Sequence, residues 1–337
     1  MVLGSTAVST PVHMRAVLAH SAGSPAALRI EKFERPAVPD DGVLVRVRAS
    51  SANPVDLYSL TPVAHLQRSL KPAVVGTDFA GTVEAVGRAV TLFQPGDEVF
   101  GGGRGAFAEY ICISEQKAVV RKPAGMSFEQ AATVPVAAST ALQALRDHGQ
   151  IRPGQRVLIN GASGGVGTFA VQIARSFGAE VTAVCSSRHV DVVRSIGAQS
   201  VIDYTKEDFT RAGDRYDLML DIAGNHSWSE CMRVLHSGAT YVGVGAAGVQ
   251  HGRGGGWRAI GHFLNVRLAS IGGGRHVVAV FIASLKKDDL VLLGGLVASG
   301  QVKPVIERRY DLDGIAEALV YLATGHAGGK IAIQVGP

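Results

Sequence analysis

The sequence contains few cysteines, little net charge and no long hydrophobic run, and each of these shortages excludes a class of protein. Three cysteines among 337 residues are an odd number and lie far apart, which excludes a disulfide scaffold and fits a reducing compartment. No apolar run approaches the roughly 18 residues that cross a bilayer. The longest runs, Val277–Leu285 and Leu290–Ala298, are predicted to be buried strands or helices. The first 13 residues have neither a basic segment nor an apolar core, so we expect no signal peptide, a cytoplasmic location and no membrane partner.

The charge balance argues against nucleic acid as a partner. Lys and Arg number 33 against 28 Asp and Glu, which gives a net charge of only +5. A basic stretch between residues 253 and 275 has little aromatic interleaving, so we interpret it as a solvated or cofactor-side helix. Apolar residues make up 47% of the chain, enough to bury a large core, and this excludes intrinsic disorder.

Metal-binding spacing is also missing. No two of the 11 histidines lie within four residues of each other, and Cys112, Cys185 and Cys231 form no C-x-x-C pair. This spacing argues against a structural zinc site, whereas a catalytic zinc assembled from distant residues stays open in principle, with nothing to favour it. We therefore predict that the protein has no metal site.

The chain changes character near residue 127. Residues 14–135 consist of short Val-rich runs separated by Pro, Gly and Asp turns, a pattern typical of a strand-rich, barrel-like domain. Ser127–His148 has helical periodicity, and strands and helices alternate after it, which predicts βαβ units and a parallel sheet. We predict a catalytic domain from residues 1–136 and 285–337, with a dinucleotide-binding domain, residues 137–284, inserted within it.

A glycine-rich loop joins a strand to a helix in the second part. The strand Val157–Asn160 is followed by GASGGVG at residues 161–167, in which Ala162, Gly164 and Gly167 take the glycine positions of G-x-G-x-x-G. Such a loop lets the backbone approach a pyrophosphate, and the helix N-terminus offers free N–H groups to it. The order of strand, loop, helix and second strand predicts a dinucleotide site, and the alternative is an α/β turn that binds nothing. The predicted phosphate contacts are Ser163, Gly164, Gly165 and Val166.

The end of the second strand indicates which dinucleotide binds. An NAD site places an acidic side chain there, about 20 residues after the first glycine, to bond the ribose 2′-OH. Here Ser186, Ser187 and Arg188 follow the strand, and no carboxylate occurs until Asp191. Two hydroxyls and a guanidinium suit a 2′-phosphate, which predicts NADPH. The alternative is a solvated loop whose Arg188 faces water.

Several further motifs lie in register along the whole chain: ANPVDLY at 52–58, VGTDFAG at 75–81, QPGDEV at 94–99, NGASGGVG at 160–167 and GHAGGK at 325–330. With them the sequence resembles the medium-chain dehydrogenase/reductase superfamily over Met14–Pro337, and most closely its zinc-free, quinone oxidoreductase-like branch. The resemblance implies an α/β fold. A GroES-like β-rich catalytic domain would be joined to a Rossmann domain with a doubly wound parallel sheet.

The resemblance also bears on the chemistry. Zinc alcohol dehydrogenases of the superfamily use a Cys, a His and a second Cys or an acid as catalytic ligands, and the matching residues here are Asn53, Thr77 and Val136. None of them is a thiolate, imidazole or carboxylate, so the Lewis-acid route is missing and a reductase is favoured. In zinc-free relatives hydride passes directly from the nicotinamide to a quinone or an activated alkene, and catalysis is mainly orientation in a dry cleft.

Roles for further residues follow from the same resemblance. Asn53 is expected to orient the substrate oxygen and Tyr58 to donate a hydrogen bond or a proton, although Asn53 could simply form a turn and Tyr58 belong to the core. Asp56 is expected to be structural, and Tyr204 to flank the adenosine 2′-phosphate. The other implied cofactor contacts are Asn225, Val244, Gly245, Phe281, Ala283, His326 and Lys330.

We therefore expect an NADPH-dependent reductase of quinones or α,β-unsaturated carbonyls that works without zinc on a small-molecule substrate. One alternative is an enoyl reductase that serves a single pathway. An alternative of another class is an NADPH-binding sensor or scaffold with little turnover. The resemblance also implies a homodimer formed through edge strands, with Val277–Ile282 as the candidate strand.

Overall fold

The computed structural model describes residues 12–67, 73–244, 276–281 and 283–336. The first part of the chain is rich in short strands, as the alternation of Val-rich runs and turns predicts. Its strands are β1 His13–Ala19, β2 Arg29–Glu34, β3 Gly42–Ala52, β4 Ala73–Val74, β5 Asp78–Val86, β6 Glu98–Gly102, β7 Tyr110–Ser114 and β8 Val119–Arg121. Two short helices that the sequence analysis missed, α1 Pro54–Tyr58 and α2 Pro62–Gln67, follow β3.

The second part forms a parallel sheet. Its described strands lie in the order β11-β10-β9-β12-β13-β14, and every neighbouring pair is parallel. They are β9 Arg156–Asn160, β10 Glu180–Cys185, β11 Ser200–Asp203, β12 Tyr216–Asp221, β13 Leu235–Val244 and β14 His276–Phe281. The helices between them are α5 Gly165–Ser176, α6 Val190–Ser195 and α7 Trp228–Arg233. This order, with β9 at its middle, is the one expected of a dinucleotide-binding sheet.

The last part of the chain returns to the first sheet. After α8 Lys287–Ala298, β15 Ile306–Asp311 and α9 Ile315–Ala323, the strand β16 Lys330–Gln334 pairs antiparallel with β3. The register pairs Ile331 with Ala52 and so brings Lys330 beside Asn53. The expected α/β class, with a β-rich unit and a parallel-sheet unit, is confirmed. The domain boundaries at residues 136 and 285 stay predictions.

The segment predicted as one helix, Ser127–His148, is divided in three. It forms α3 Phe128–Ala132, α4 Pro135–Leu142 and a π-helical turn, Gln143–His148. Pro135 explains why a new helix begins at this point, because proline lacks the N–H group that would continue the preceding helix and suits the first position of a new one. The break has a structural use, since it frees the N–H group of Val136 to donate to the Asp78 carboxylate at 3.0 Å.

Two buried clusters stabilise these units. One lies between the strands of the first sheet and includes Val43, Val45 and Phe79. The other packs α4 and α5 against the parallel sheet, whose central residues Val157 and Ile159 are fully buried. Within the described ranges, no helix is long and apolar enough to span a membrane.

Candidate active site

The glycine loop has the geometry of a phosphate site. It leaves β9 through Gly161, whose φ of +87° favours glycine, and α5 begins at Gly165. Gly164 precedes the helix and no side chain caps it, so the N–H groups of the first turn are left for a ligand. A Cβ atom on Gly167 would lie 2.2 Å from the Gly161 carbonyl oxygen, so only glycine allows the helix to start this close to the turn.

The backbone of the glycine loop is open at Gly164. A Cβ atom on Gly164 would meet only the Gly161 carbonyl oxygen, at 3.6 Å, so the backbone is open to a close approach. The stem of Lys330 packs on Gly165, where a Cβ atom would lie 3.1 Å from Cδ of the lysine. Ser163 and Val166 are half-buried on the same turn. The chain thus offers free N–H groups and the positive end of α5, while the stem of Lys330 supports the loop from the side.

Asn160, the last residue of β9, holds the start of the glycine loop in place. Its Nδ2 atom donates to Asp221 at 2.9 Å and to the Oδ1 atom of Asn225 at 2.8 Å, which ties the end of β9 to the end of β12. The hydroxyl of Tyr241 donates to the other oxygen of Asp221 at 2.8 Å. The predicted cofactor residue Asn225 is therefore held next to the glycine loop, with its own exposed side chain at the strand end.

The turn after β10 contains an acid that the sequence analysis missed. The hydroxyl of Ser187 donates to Asp203, the last residue of β11, and lies 2.9 Å from the hydroxyl of Thr205. The Thr205 hydroxyl also donates to Asp203, and Nζ of Lys206 lies 3.3 Å from Oδ2 of Asp203. The hydrogen bonds from Ser187 and Thr205 hold the pKa of Asp203 well below its usual range. The Ser187 hydroxyl is thus already engaged inside the protein.

Three other side chains at this turn remain available to a ligand. Arg188 is exposed and makes no hydrogen bond or ion pair with any residue in the described ranges. Tyr204 is 52% exposed one residue beyond β11, and Ser186 is half-buried at the end of β10. These positions agree with the placement expected for a 2′-phosphate site, whose occupancy stays a prediction.

A buried polar cluster lies where the end of β3, the start of β5 and the start of β16 meet. We define it as Asn53, Asp56, Thr77, Asp78 and Lys330. Asn53 is 1% exposed, and its Nδ2 atom donates to Asp78 at 2.8 Å. Its Oδ1 atom accepts from the Lys330 ammonium at 2.5 Å, and its backbone N–H donates to Asp56 at 2.8 Å. Every polar group of the Asn53 amide is therefore used within the protein.

The two carboxylates of the buried polar cluster have different surroundings. Asp78 accepts hydrogen bonds from Ser51, Asn53 and the Val136 amide, and the Lys330 ammonium lies 3.9 Å away. Burial raises the pKa of Asp78, whereas the charge of Lys330 opposes that rise. Burial likewise lowers the pKa of Lys330, and the Asp78 carboxylate opposes this. The two side chains form a buried ion pair.

Among the described residues, no cation contacts Asp56 as Lys330 contacts Asp78. Its carboxylate accepts from the Asn53 backbone N–H and from the Thr77 hydroxyl, the latter at 2.8 Å. Burial raises the pKa of Asp56 to about 7 in spite of the hydrogen bond from Thr77, and the negative charge of Asp78 adds to the rise. A residue that the resemblance treats as structural is therefore a buried acid that titrates near neutral pH.

The remaining predicted residues lie in several surroundings. Tyr58 ends α1 with 45% of its surface exposed and is not part of the core; its hydroxyl makes no hydrogen bond within the described ranges. Val244 ends β13 and is buried, and it pairs with the backbone of Phe281 at the end of β14. Ala283 is half-buried and His326 is exposed on the loop after α9. Gly245 lies outside the described residues.

The described residues of this site do not include a set of metal ligands. Within the described ranges, no group of three or more His, Cys, Asp or Glu side chains could hold a metal ion. At the positions that match zinc ligands, Asn53 and Thr77 donate hydrogen bonds to the Asp78 and Asp56 carboxylates. At the third position, Val136 donates its backbone N–H to Asp78.

Comparison with known proteins identifies the family. Residues 39–124 match the alcohol dehydrogenase GroES-like domain, and residues 196–333 match the zinc-binding dehydrogenase family. The chain is 34% identical to the mouse (Mus musculus) mitochondrial NAD(P)H oxidoreductase RTN4IP1 over 332 residues, which cover 87% of this chain and 81% of that protein. It is 33% identical to 2-methylene-furan-3-one reductase of Solanum lycopersicum, covering 98% of this chain and 81% of the reductase.

A solved structure shows the same architecture. The quinone oxidoreductase of Coxiella burnetii superposes with a TM-score of 0.85 at 28% identity, over 96% of this chain and 100% of that one. The chain therefore belongs to the medium-chain dehydrogenase/reductase superfamily, in its zinc-free, quinone oxidoreductase-like branch. It is an NAD(P)H-dependent oxidoreductase that acts on a small molecule. The expected cytoplasmic location stays a prediction, since the mouse relative is mitochondrial by name.

The buried acid leads to a prediction for stability. The folded state retains the Asp56 proton up to about pH 7, whereas the unfolded chain releases it near pH 3.8. The contribution of Asp56 to the free energy of unfolding therefore falls as pH rises from about 4 to about 7. Asp56→Asn, which mimics the protonated acid, should remove this fall. In urea unfolding of the cofactor-free protein, the free energy of unfolding of the variant should rise relative to that of the wild type by on the order of 2 to 4 kcal/mol across that range.

The control for this comparison is Asp191→Asn, at an exposed position of α6. It should follow the wild type at every pH. Parallel curves for the wild type and Asp56→Asn would show that Asp56 is ionised in the folded protein throughout.

Proposed function

We propose that this oxidoreductase uses NADPH to reduce a quinone or an α,β-unsaturated carbonyl compound by direct hydride transfer, without zinc. The observation that carries the proposal is the set of side chains at the zinc-ligand positions. Asn53 and Thr77 bring an amide and a hydroxyl there, and both are hydrogen-bonded into the buried polar cluster with Asp56, Asp78 and Lys330. Such a set lacks the thiolate, imidazole and carboxylate ligands by which a zinc ion would polarise an alcohol, and its polar groups are held in one hydrogen-bonded cluster of which Thr77 is the half-exposed member.

The nicotinamide, when bound, supplies a hydride to the acceptor. The chain's own part is to bind and orient. The first-turn N–H groups of α5 and the open backbone of Gly164 suit the pyrophosphate, and Asn160 holds this loop against the end of β12. Lys330 links the loop to the substrate side, because its stem packs on Gly165 while its ammonium bonds Asn53. Binding and chemistry thus share one rigid support.

The class of acceptor is supported by the relatives. A 2-methylene-furan-3-one is an exocyclic enone, and a quinone is a cyclic enedione, so both present an electron-poor C=C bond conjugated to an oxygen. Hydride addition to either one moves electrons onto that oxygen. Tyr58, whose exposed side chain ends α1, stays the predicted donor at the substrate. Asn53 stays a predicted donor too, although it would have to release an existing hydrogen bond.

The function is tested by mixing purified protein and NADPH with a simple enone. We expect NADPH to be consumed in a 1:1 ratio with a saturated ketone, at a rate that a zinc chelator leaves unchanged. A quinone should serve as a second acceptor. An alcohol product would contradict the proposed regiochemistry. Tight NADPH binding with no turnover on any acceptor would instead favour the sensor alternative.

The preference for NADPH is part of the proposal and is supported by the free guanidinium of Arg188. Arg188→Ala should weaken NADPH binding by about 1.5 to 3 kcal/mol, the range for a hydrogen bond to a charged group, and spare NADH. Fluorescence titration measures both. Arg194→Ala, at an exposed arginine near the far end of α6, serves as the matched control and should change neither affinity. Equal losses for both dinucleotides at Arg188→Ala would refute the 2′-phosphate assignment.

We also propose that two chains pair through β14. This strand, the described part of Val277–Ile282, stands at the edge of the described parallel sheet and carries the apolar sequence HVVAVF. An unpaired apolar edge favours association with another strand. Light scattering should report twice the mass of the chain at micromolar concentration, and a monomer would contradict the pairing.

A further inference from the structure

Asp56 is a buried acid for which the proposed function has no use. It is 2% exposed at the third residue of α1, and it keeps both carboxylate oxygens hydrogen-bonded. The charged groups that act on it most are Asp78, from β5, and Lys330, from β16. The Lys330 ammonium contacts Asp78 and Asn53, so its positive charge stabilises the Asp78 carboxylate more than that of Asp56. This geometry favours a proton on Asp56 over one on Asp78, which has the cation and three hydrogen bonds.

Thr77 connects this acid with the outside of the cluster. Its hydroxyl lies 2.8 Å from Oδ1 of Asp56. Thr77 is half-buried, whereas Asp56 is fully buried. A hydroxyl both donates and accepts, so the same contact serves either direction of the hydrogen bond. When Asp56 is ionised, Thr77 donates to it. When Asp56 is protonated, it donates to Thr77, and the threonine proton is free to point away from the cluster.

Thr77 matches a zinc-ligand position of the superfamily's alcohol dehydrogenases, and the proposed function therefore puts this contact on the substrate side. Thr77 directly precedes Asp78, whose carboxylate binds the start of α4 and the side chain of Asn53. Asn53 in turn bonds Lys330, whose stem lies on Gly165 of the phosphate loop. Thr77 is therefore the half-exposed member of a cluster that reaches the phosphate loop.

From this geometry we infer that Asp56 and Thr77 form the proton path of the reductase. The inference rests on the proposed function. Hydride adds to the β-carbon of an enone, and the electron pair of the C=C bond shifts until the carbonyl oxygen carries a negative charge. The Thr77 hydroxyl gives its proton to that oxygen, and Asp56 gives its own proton to Thr77. Asp56 is left as the carboxylate and recovers a proton from water. Hydride and proton have then formed an enol, which takes a proton from water at its α-carbon and loses the one on its oxygen to give the saturated ketone.

Three variants separate this path from a structural role. Thr77→Val keeps the shape and removes the hydroxyl, Thr77→Ser keeps the hydroxyl, and Asp56→Asn keeps the hydrogen-bonding pattern of the protonated acid without a transferable proton. General acid catalysis contributes typically 100-fold or more, so Thr77→Val and Asp56→Asn should lower kcat on an enone by about 100-fold. Thr77→Ser should recover most of that loss. Affinity for NADPH, measured by fluorescence, should stay within about threefold in all three.

The pH profile is the readout that a packing role would not change. For the wild type, kcat/KM should fall as pH rises through about 7, as Asp56 ionises in the free enzyme. This limb should persist in Thr77→Ser and vanish in Thr77→Val and Asp56→Asn. A second readout needs no turnover: infrared spectra of the cofactor-free protein should show a protonated carboxylic acid band that disappears on the same titration, and Asp56→Asn should lack it.

The outcomes distinguish the proton path from the function on which it rests. If the wild type reduces neither enone nor quinone, the proposed function fails, whatever the infrared band shows. If the wild type is active and folded Thr77→Val keeps its rate and its pH limb, the path is wrong. Absence of the acid band below about pH 7 would overturn it as well.

Discussion

The antiparallel pairing of β16 with β3 is the constraint on which the rest of the site depends. This register carries Lys330 across the fold to Asn53 and neutralises the Asp78 carboxylate in a place that water does not reach. Removing one partner of such a buried pair typically costs about 3 to 5 kcal/mol, because the other charge is left without compensation. The buried polar cluster therefore forms only when β16 is paired with β3. The stem of the same lysine packs on Gly165 of the glycine loop.

One cation shared by two carboxylates cannot neutralise both. In this molecule the unequal division is fixed by the backbone: the amide of Val136, freed where Pro135 starts α4, adds to the stabilisation of Asp78 and not of Asp56. These contacts favour ionisation of Asp78 over that of Asp56, while burial raises the pKa of both. Giving two carboxyl groups different surroundings is a common way for enzymes to obtain an acid and a base from identical residues.

Features formed by contiguous residues were predictable from the sequence, and contacts between residues far apart in the sequence were not. The glycine loop could be placed because its strand, turn and helix are contiguous in sequence. Pro135, by contrast, is a local helix-breaking signal that the periodicity of Ser127–His148 obscured. The engagement of Ser187 by Asp203 was out of reach, because adjacent parallel strands bring together residues 16 apart. Lys330 could be named only through the family resemblance, and its bond to Asn53 spans 277 residues.

The hydrogen bond between Ser187 and Asp203 also says something about how coenzyme preference evolves in this fold. An NAD site uses a carboxylate near the end of the second strand, and here a carboxylate stands at the end of the neighbouring strand, covered by a serine hydroxyl and balanced by Lys206. A carboxylate and the groups predicted to bind the 2′-phosphate thus lie at the ends of adjacent strands, and the Ser187 hydroxyl covers the carboxylate. The carboxylate that an NAD site would need is therefore already in the fold, and the strand that holds it need not change for it to become accessible.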